Sequence, residues 1–207
     1  MVRSSVKLFE ASSDAIASHI PGGKVKSALP AGLRGDAIFS PCGRYRPRLR
    51  RWIGEAFPSR YWCLIGMNPS TAEAEYNDPT VTREWGYTAR ERYSGLSKCN
   101  IGDYRATAPA DLLLPGVVPS SEMNLPVIID ECRNADRVVV CFGKVNKALR
   151  GDAVKTIVAL KEARVPLWCF GTNGDGSPKH PLYLAKDREL VRFDGNSFLN
   201  KLRVPHT

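Results

Sequence analysis

Two short polar segments hold the residue types with the most chemistry. The first is Gly66-Met67-Asn68-Pro69-Ser70. A glycine there lets the backbone turn or approach a ligand closely, and the Asn68 amide can hold a water or a substrate edge. The plainer reading of an asparagine before proline is a turn. The second is Gly176-Ser177-Pro178-Lys179-His180-Pro181-Leu182-Tyr183-Leu184. His180 is one of only three histidines in the chain, and its loop is stiffened by Pro178 and Pro181. A histidine so placed serves as an acid or an electrophile; the plainer reading is a helix-start histidine bonded to backbone. Asp78 is a spare carboxylate in the same region, to be read as a base, a helix cap or a salt-bridge partner. Residues 42–52 are dense in arginine with aromatics interleaved, and Arg44, Arg46 and Arg48 fall in this run. The mix suits phosphate contacts backed by stacking, and equally an edge strand followed by a solvated helix start.

These residues need elements to position them. Residues 61–66, 98–101, 137–143 and 165–171 are apolar runs of buried-strand length, rich in β-type residues. Helical stretches separate them, including residues 124–134 and residues 144–164, the latter with a break near Gly151. This alternation predicts an α/β fold in three layers, α/β/α, around a central, mainly parallel four-stranded sheet. Ligands bind beyond the carboxyl ends of such strands, so Asn68, Asn100 and the loop to His180 should converge. A helix start is expected beside Asn68, either with Ser70 and Glu73 as a capping box or with Asn68 as cap and Pro69 first in the helix. Residues 1–36 read as an N-terminal extension with a short helix over 13–20, and residues 37–207 as the α/β domain.

The 207 residues carry a net charge of +9 and a pI of about 9.4, an excess that favours a polyanionic partner such as nucleic acid. At 43% hydrophobic and 25% charged, the chain can build a real core. Six cysteines form no C-x-x-C pair, so the usual zinc and redox spacings are missing. Cys63, Cys141 and Cys169 sit in apolar runs and read as buried thiols. No stretch has the length of a signal peptide or membrane span. The expectation is a cytoplasmic protein with reduced cysteines.

Together the two segments resemble the uracil-DNA glycosylase superfamily. Its first motif is a Gly-x-Asn/Asp-Pro loop after the first core strand, matched by Gly66-Met67-Asn68-Pro69. Its second is a His-Pro-rich loop after the last, matched by His180-Pro181-Leu182-Tyr183-Leu184. Between them lie an asparagine ending a strand, Asn100, and a strand ending in Gly143. The chain is similar over nearly its whole length to a bacterial and phage family of unknown function. The features shared are Ser40-Pro41-Cys42 with Tyr45-Arg46, Asn68-Pro69-Ser70-Thr71-Ala72, Asp78-Pro79-Thr80 and the His180–Leu184 segment. This second resemblance leaves the activity open.

The superfamily resemblance implies a monofunctional DNA glycosylase without cofactor, metal or metal cluster, acting as a monomer on double-stranded DNA. Asn68 would orient water, as in the mismatch-specific thymine/uracil branch, and His180 would donate to the base oxygen as charge develops there. Asn100 would read the flipped base, with Gly66, Met67, Ser70 and Asp78 around it and Tyr76 or Trp85 stacked over it. Leu184 would be the apolar wedge beside Tyr183. Lys144, Ser177 and Lys179, with Ser70, would hold phosphates. Strict uracil enzymes place a tyrosine where this chain has Ser70. The room this leaves points to a 5-substituted or bulky modified pyrimidine, of the kind found in phage genomes, and to antiphage defence or DNA repair. The alternatives are a nucleic-acid-binding module of the same fold without chemistry, and a nucleotide or nucleoside hydrolase.

Overall fold

The computed structural model describes residues 26–203; the helix expected over residues 13–20 lies outside them. The strands are β1 (Ser27–Ala28), β2 (Leu33–Ile38), β3 (Arg48–Ile53), β4 (Trp62–Gly66), β5 (Tyr76–Asn77), β6 (Gly95–Asn100), β7 (Arg137–Val140), β8 (Leu167–Cys169) and β9 (Val191–Arg192). The helices are α1 (Pro79–Arg90), α2 (Asn124–Asn134), α3 (Arg150–Glu162) and α4 (Asn196–Arg203). The fold is mixed α/β.

One sheet has seven strands in the order β2-β3-β6-β4-β7-β8-β9, not the four expected. The four strands expected from sequence are its parallel centre: β4 pairs in parallel with β6 and β7, and β7 with β8. Antiparallel strands extend both sides, β3 and β2 beyond β6, and β9 beyond β8. Two causes hid them. The sequence of β3, Arg48-Leu49-Arg50-Arg51-Trp52-Ile53, conceals its period-two pattern under three arginines, and β9 is only two residues long. β2 spans the expected boundary between residues 36 and 37, so the end of the expected extension is part of the sheet.

Alternating side chains build one core on each face of the sheet. Cys63, Ile65, Val138 and Val140 point toward α2, α3 and α4, meeting Ile128, Ile157 and Phe198. Trp62, Leu64, Val139 and Cys141 point the other way, packing with Tyr87 of α1 and with Phe170. The Tyr87 and Phe170 rings lie 4.4 Å apart. Five of the six cysteines are buried free thiols and Cys42 is exposed. No helix among the described residues is long and apolar enough to cross a membrane.

The helix expected beside Asn68 does not form there. An N-cap side chain must accept a backbone hydrogen bond, whereas the Asn68 amide nitrogen donates, to the carbonyls of Pro69 and Ala106. The chain runs on irregularly to Asp78, which caps α1 by accepting from the Val81 amide at 2.8 Å, with Pro79 opening the helix. Asp78→Ala should therefore lower stability by about 1 kcal/mol, read as an earlier midpoint in urea unfolding. Between β7 and α3 a short 3-10 turn, Lys147–Leu149, replaces the expected helical run, so the regular helix begins beside Gly151 rather than breaking there.

Candidate active site

Register brings the first two predicted residues together. Gly66 and Asn100, the last residues of β4 and β6, are paired neighbours. A side chain at 66 would have to push its neighbours aside: its Cβ would lie 2.6 Å from the Lys98 Nζ and 2.7 Å from the Asn100 Oδ1. The loops that follow are joined through backbone, Gly102 donating to the Met67 carbonyl and Ala106 to that of Pro69, each at 2.9 Å. Asn68 completes the join through its amide nitrogen, at 3.0 Å to Pro69 and 2.9 Å to Ala106. Both N–H groups are thereby committed, and what Asn68 offers beyond the join is its Oδ1, an acceptor suited to holding a water. At the start of α2, Asn124 donates to the carbonyls of Asn100 and Ile101 and fixes the end of β6 from below.

His180 arrives from beyond β8. Lys179 donates to the Gly171 carbonyl at 2.9 Å, and His180 caps the 3-10 turn Pro181–Tyr183, its Nδ1 accepting from the Leu182 amide at 3.3 Å. With Nδ1 as acceptor, the proton of the neutral ring sits on Nε2. The backbone-bonded histidine and the donor histidine of the two sequence readings are thus compatible.

Between these loops lies a cavity of about 330 Å³, near the small end for ligand pockets. Gly66, Met67, Asn68, Ser70, Asp78 and Asn100 line it, together with His180, Lys144 and Tyr183. Four lining residues carry buried polar atoms that bond to nothing among the described residues: Ser70 Oγ, Asn100 Nδ2, Thr107 Oγ1 and Arg46 Nε. Such atoms are costly without a partner, and a group of them on residues lining one cavity marks a place for ligand or ordered water.

Sequence reasoning gave no site role to eight of the lining residues, Thr107, Phe142 and Lys98 among them. Thr107 lies in the loop after β6 and Phe142 just past the end of β7. Lys98 lies in β6, all six residues of which are buried. It pairs with Glu84 of α1, both groups within the protein interior. Burial pulls the Lys98 pKa down, but the groups around it, Glu84 foremost with Cys141 and Asp78, outweigh this together and hold the ammonium above its ordinary range. A lysine inside an otherwise interior strand was the available signal.

The arginine run does a different job from the one expected. Arg46 is buried and donates to the Ala72 carbonyl, while Arg51 bonds Asn77 Oδ1 at 2.8 Å and the carbonyls of Glu73 and Tyr76 at 2.5 and 2.8 Å. Gly35, paired with Arg51 in β2, leaves room for that guanidinium: a Cβ there would meet it at 2.5 Å. Arg105, from the loop after β6, grips Glu73 Oε1 at 2.7 Å. Burial lowers Arg46 and Arg51 to about 10, so both stay charged at neutral pH. Together they clamp the irregular segment from Ala72 to Asn77. Arg48 is turned to the opposite face, where it bonds Glu131 at 3.1 Å and Asp36 at 3.4 Å. Arg46 and Arg48 are therefore internal rather than surface contacts for a phosphate backbone; Arg44 alone of the three is exposed.

Other expected contacts also move. Ser177 is buried, its hydroxyl donating to Asp175 at 2.6 Å, so it faces no phosphate. Tyr76 and Trp85 are outside the cavity: Tyr76 belongs to the β1–β5 ribbon, and Trp85 packs on the core around Tyr87. Leu184 packs against the same core, whereas its neighbour Tyr183 is 83% exposed at the mouth. A groove bearing Lys144, Lys179, Tyr183 and Leu184 runs out from His180.

The α/β chain thus gathers two asparagines, a histidine and a carboxylate over the carboxyl ends of parallel strands, the place where open α/β sheets hold their ligands. The chain is a member of the family described as "Protein of unknown function (DUF1643)", which matches residues 44–182. That stretch takes in all the cavity-lining loops except Tyr183. No curated protein and no solved structure matches the chain.

Proposed function

We propose that this protein is a DNA glycosylase of uracil-DNA glycosylase-like, three-layer architecture that flips an altered pyrimidine into the cavity and hydrolyses its glycosidic bond. The observation that carries the reading is the set of unsatisfied polar atoms, Asn100 Nδ2, Ser70 Oγ and Thr107 Oγ1, around a small cavity at the sheet's carboxyl edge. Those are the groups needed to read a base edge once it has left the helix. Asn68 Oδ1 orients the attacking water. Asp78, whose Oδ1 caps α1, is the carboxylate at hand to take the water's proton. His180 Nε2–H donates to the base oxygen. Ser70, small where a blocking ring would stand, admits a 5-substituent, so modified phage pyrimidines are the substrates proposed first. Lys144, Lys179 and Arg44 meet phosphates, and exposed Tyr183, rather than Leu184, enters the vacated stack. The cytoplasm, where such DNA arrives, is the proposed location.

The test is mass spectrometry of bases released from duplexes carrying uracil, mismatched thymine, and hydroxymethylated or glucosylated pyrimidines. Release of one of these by the wild type, and not by the Asn68→Ala/His180→Ala double variant, is expected. Silence across the panel would remove the reading.

A further inference from the structure

The buried Lys98–Glu84 pair has a form that a purely structural ion pair does not require. The Lys98 Nζ donates to Glu84 Oε1 and to no other group among the described residues. Two of its three ammonium protons are therefore unused at a residue only 4% exposed. The ammonium does not end in apolar core. It lies against the Cα of Gly66, where residue 66 would otherwise carry its side chain, and beside Asn100 Oδ1. Lys98 itself lines the cavity. Glycine at 66 thus opens a window through which a desolvated cation faces the ligand space. The charged and titratable groups around it are Glu84 on α1, Asp78 at the α1 cap and Cys141 beyond β7, and Arg46 lines the same cavity. Glu84, paired behind the lysine, neutralises it without covering its remaining protons.

Resting on the glycosylase reading, we propose that Lys98 is a substrate-contacting residue, donating through the Gly66 window to an acceptor on the inserted edge of the base and holding the negative charge that develops there. In that step the C1′–N bond breaks and its electron pair departs with the base. Water then gives its hydroxyl to C1′ and, through the protein, its proton to the base. A fixed cation in a dry site stabilises the leaving anion far better than one in water. Its paired state makes Lys98 a hydrogen-bond donor, not an amine nucleophile.

Two variants probe this without leaving a lone buried charge. Lys98→Met/Glu84→Leu removes the pair together. Gly66→Ala keeps both charges and shuts the window. Thermal melting verifies that each is folded. Calorimetric titration with free uracil, thymine and 5-hydroxymethyluracil reads contact alone, and single-turnover release from duplexes carrying deoxyuridine or 5-fluorodeoxyuridine reads the chemistry. The expected result is binding weakened about tenfold in both variants and release slowed about 100-fold. The loss should be smaller for 5-fluorouracil, the better leaving group. Equal binding by wild type and variants overturns the proposal. If no free base binds, release decides, and equal rates overturn it. Weakened binding with no release from any duplex keeps Lys98 as a ligand contact and removes the glycosylase reading. Neither binding nor release by the wild type removes both.

Discussion

Lys98→Met alone should cost about 3–5 kcal/mol of stability, the usual penalty for orphaning one partner of a buried ion pair. Glu84 would be the orphan: it is fully buried in α1, its second oxygen already without a partner among the described residues. Burial raises the Glu84 carboxyl pKa even with Lys98 present, and the variant loses the attraction that opposes this rise. A folded-state pKa above the unfolded one favours the native state below the unfolded pKa, and that advantage fades as pH rises through the folded value. The deficit of the single variant should therefore shrink as the buffer is taken from about pH 8 to about pH 5. Urea unfolding of wild type, Lys98→Met and Lys98→Met/Glu84→Leu at both pH values measures it. The double variant should recover most of the loss. A single variant as stable as wild type at neutral pH would show that the pair is not desolvated as described.

The second large effect is on the proposed base release. His180→Ala should slow single-turnover base release by about 100- to 1000-fold, the range for deleting one donor to a developing oxyanion. Asn68→Ala should fall in the same range, and Asn68→Asp is more telling. In isolation a carboxylate is the better base, so the substitution would be expected to accelerate hydrolysis. Here both amide protons of Asn68 are given to the carbonyls of Pro69 and Ala106. An aspartate would set a carboxylate against those two oxygens and force the loops apart. Asn68→Asp should therefore be slower than wild type and should melt earlier. Faster release by Asn68→Asp would show that the amide is not the join between the two loops.

The legible parts of this chain were those where burial alone writes the pattern. The centre of the sheet and α2 could be read because β4, β6, β7 and β8 carry apolar side chains to both faces, and because residues 124–134 match helix spacing. The meeting of Asn68, Asn100 and His180 then followed from where loops fall in a parallel sheet. The arginine run could not be resolved in the same way. A guanidinium presents the same residue type to a phosphate and to a main-chain carbonyl, so the run suited phosphate contacts although the forks of Arg46 and Arg51 face inward. The start of α1 was misplaced because Ser70 with Glu73 fits a capping box as well as Asp78 with Pro79 fits a cap. What decided between them was long-range: Arg51 and Arg105 hold residues 73 and 76 out of a helix. Lys98 and Glu84 lie fourteen residues apart and meet only across β6 and α1, a contact that no local spacing encodes.

The arginine clamp also bears on how this protein can change. Arg46 and Arg51 hold Ala72, Glu73 and Tyr76 by their carbonyl oxygens, and every amino acid supplies the same carbonyl. Those grips do not depend on which side chains the segment displays. Mutation can thus exchange residues along this segment, which joins the cavity residues Ser70 and Asp78, while its backbone stays in place. The outer side chains of the segment can therefore vary while Ser70 and Asp78, at its two ends, keep their places beside the cavity.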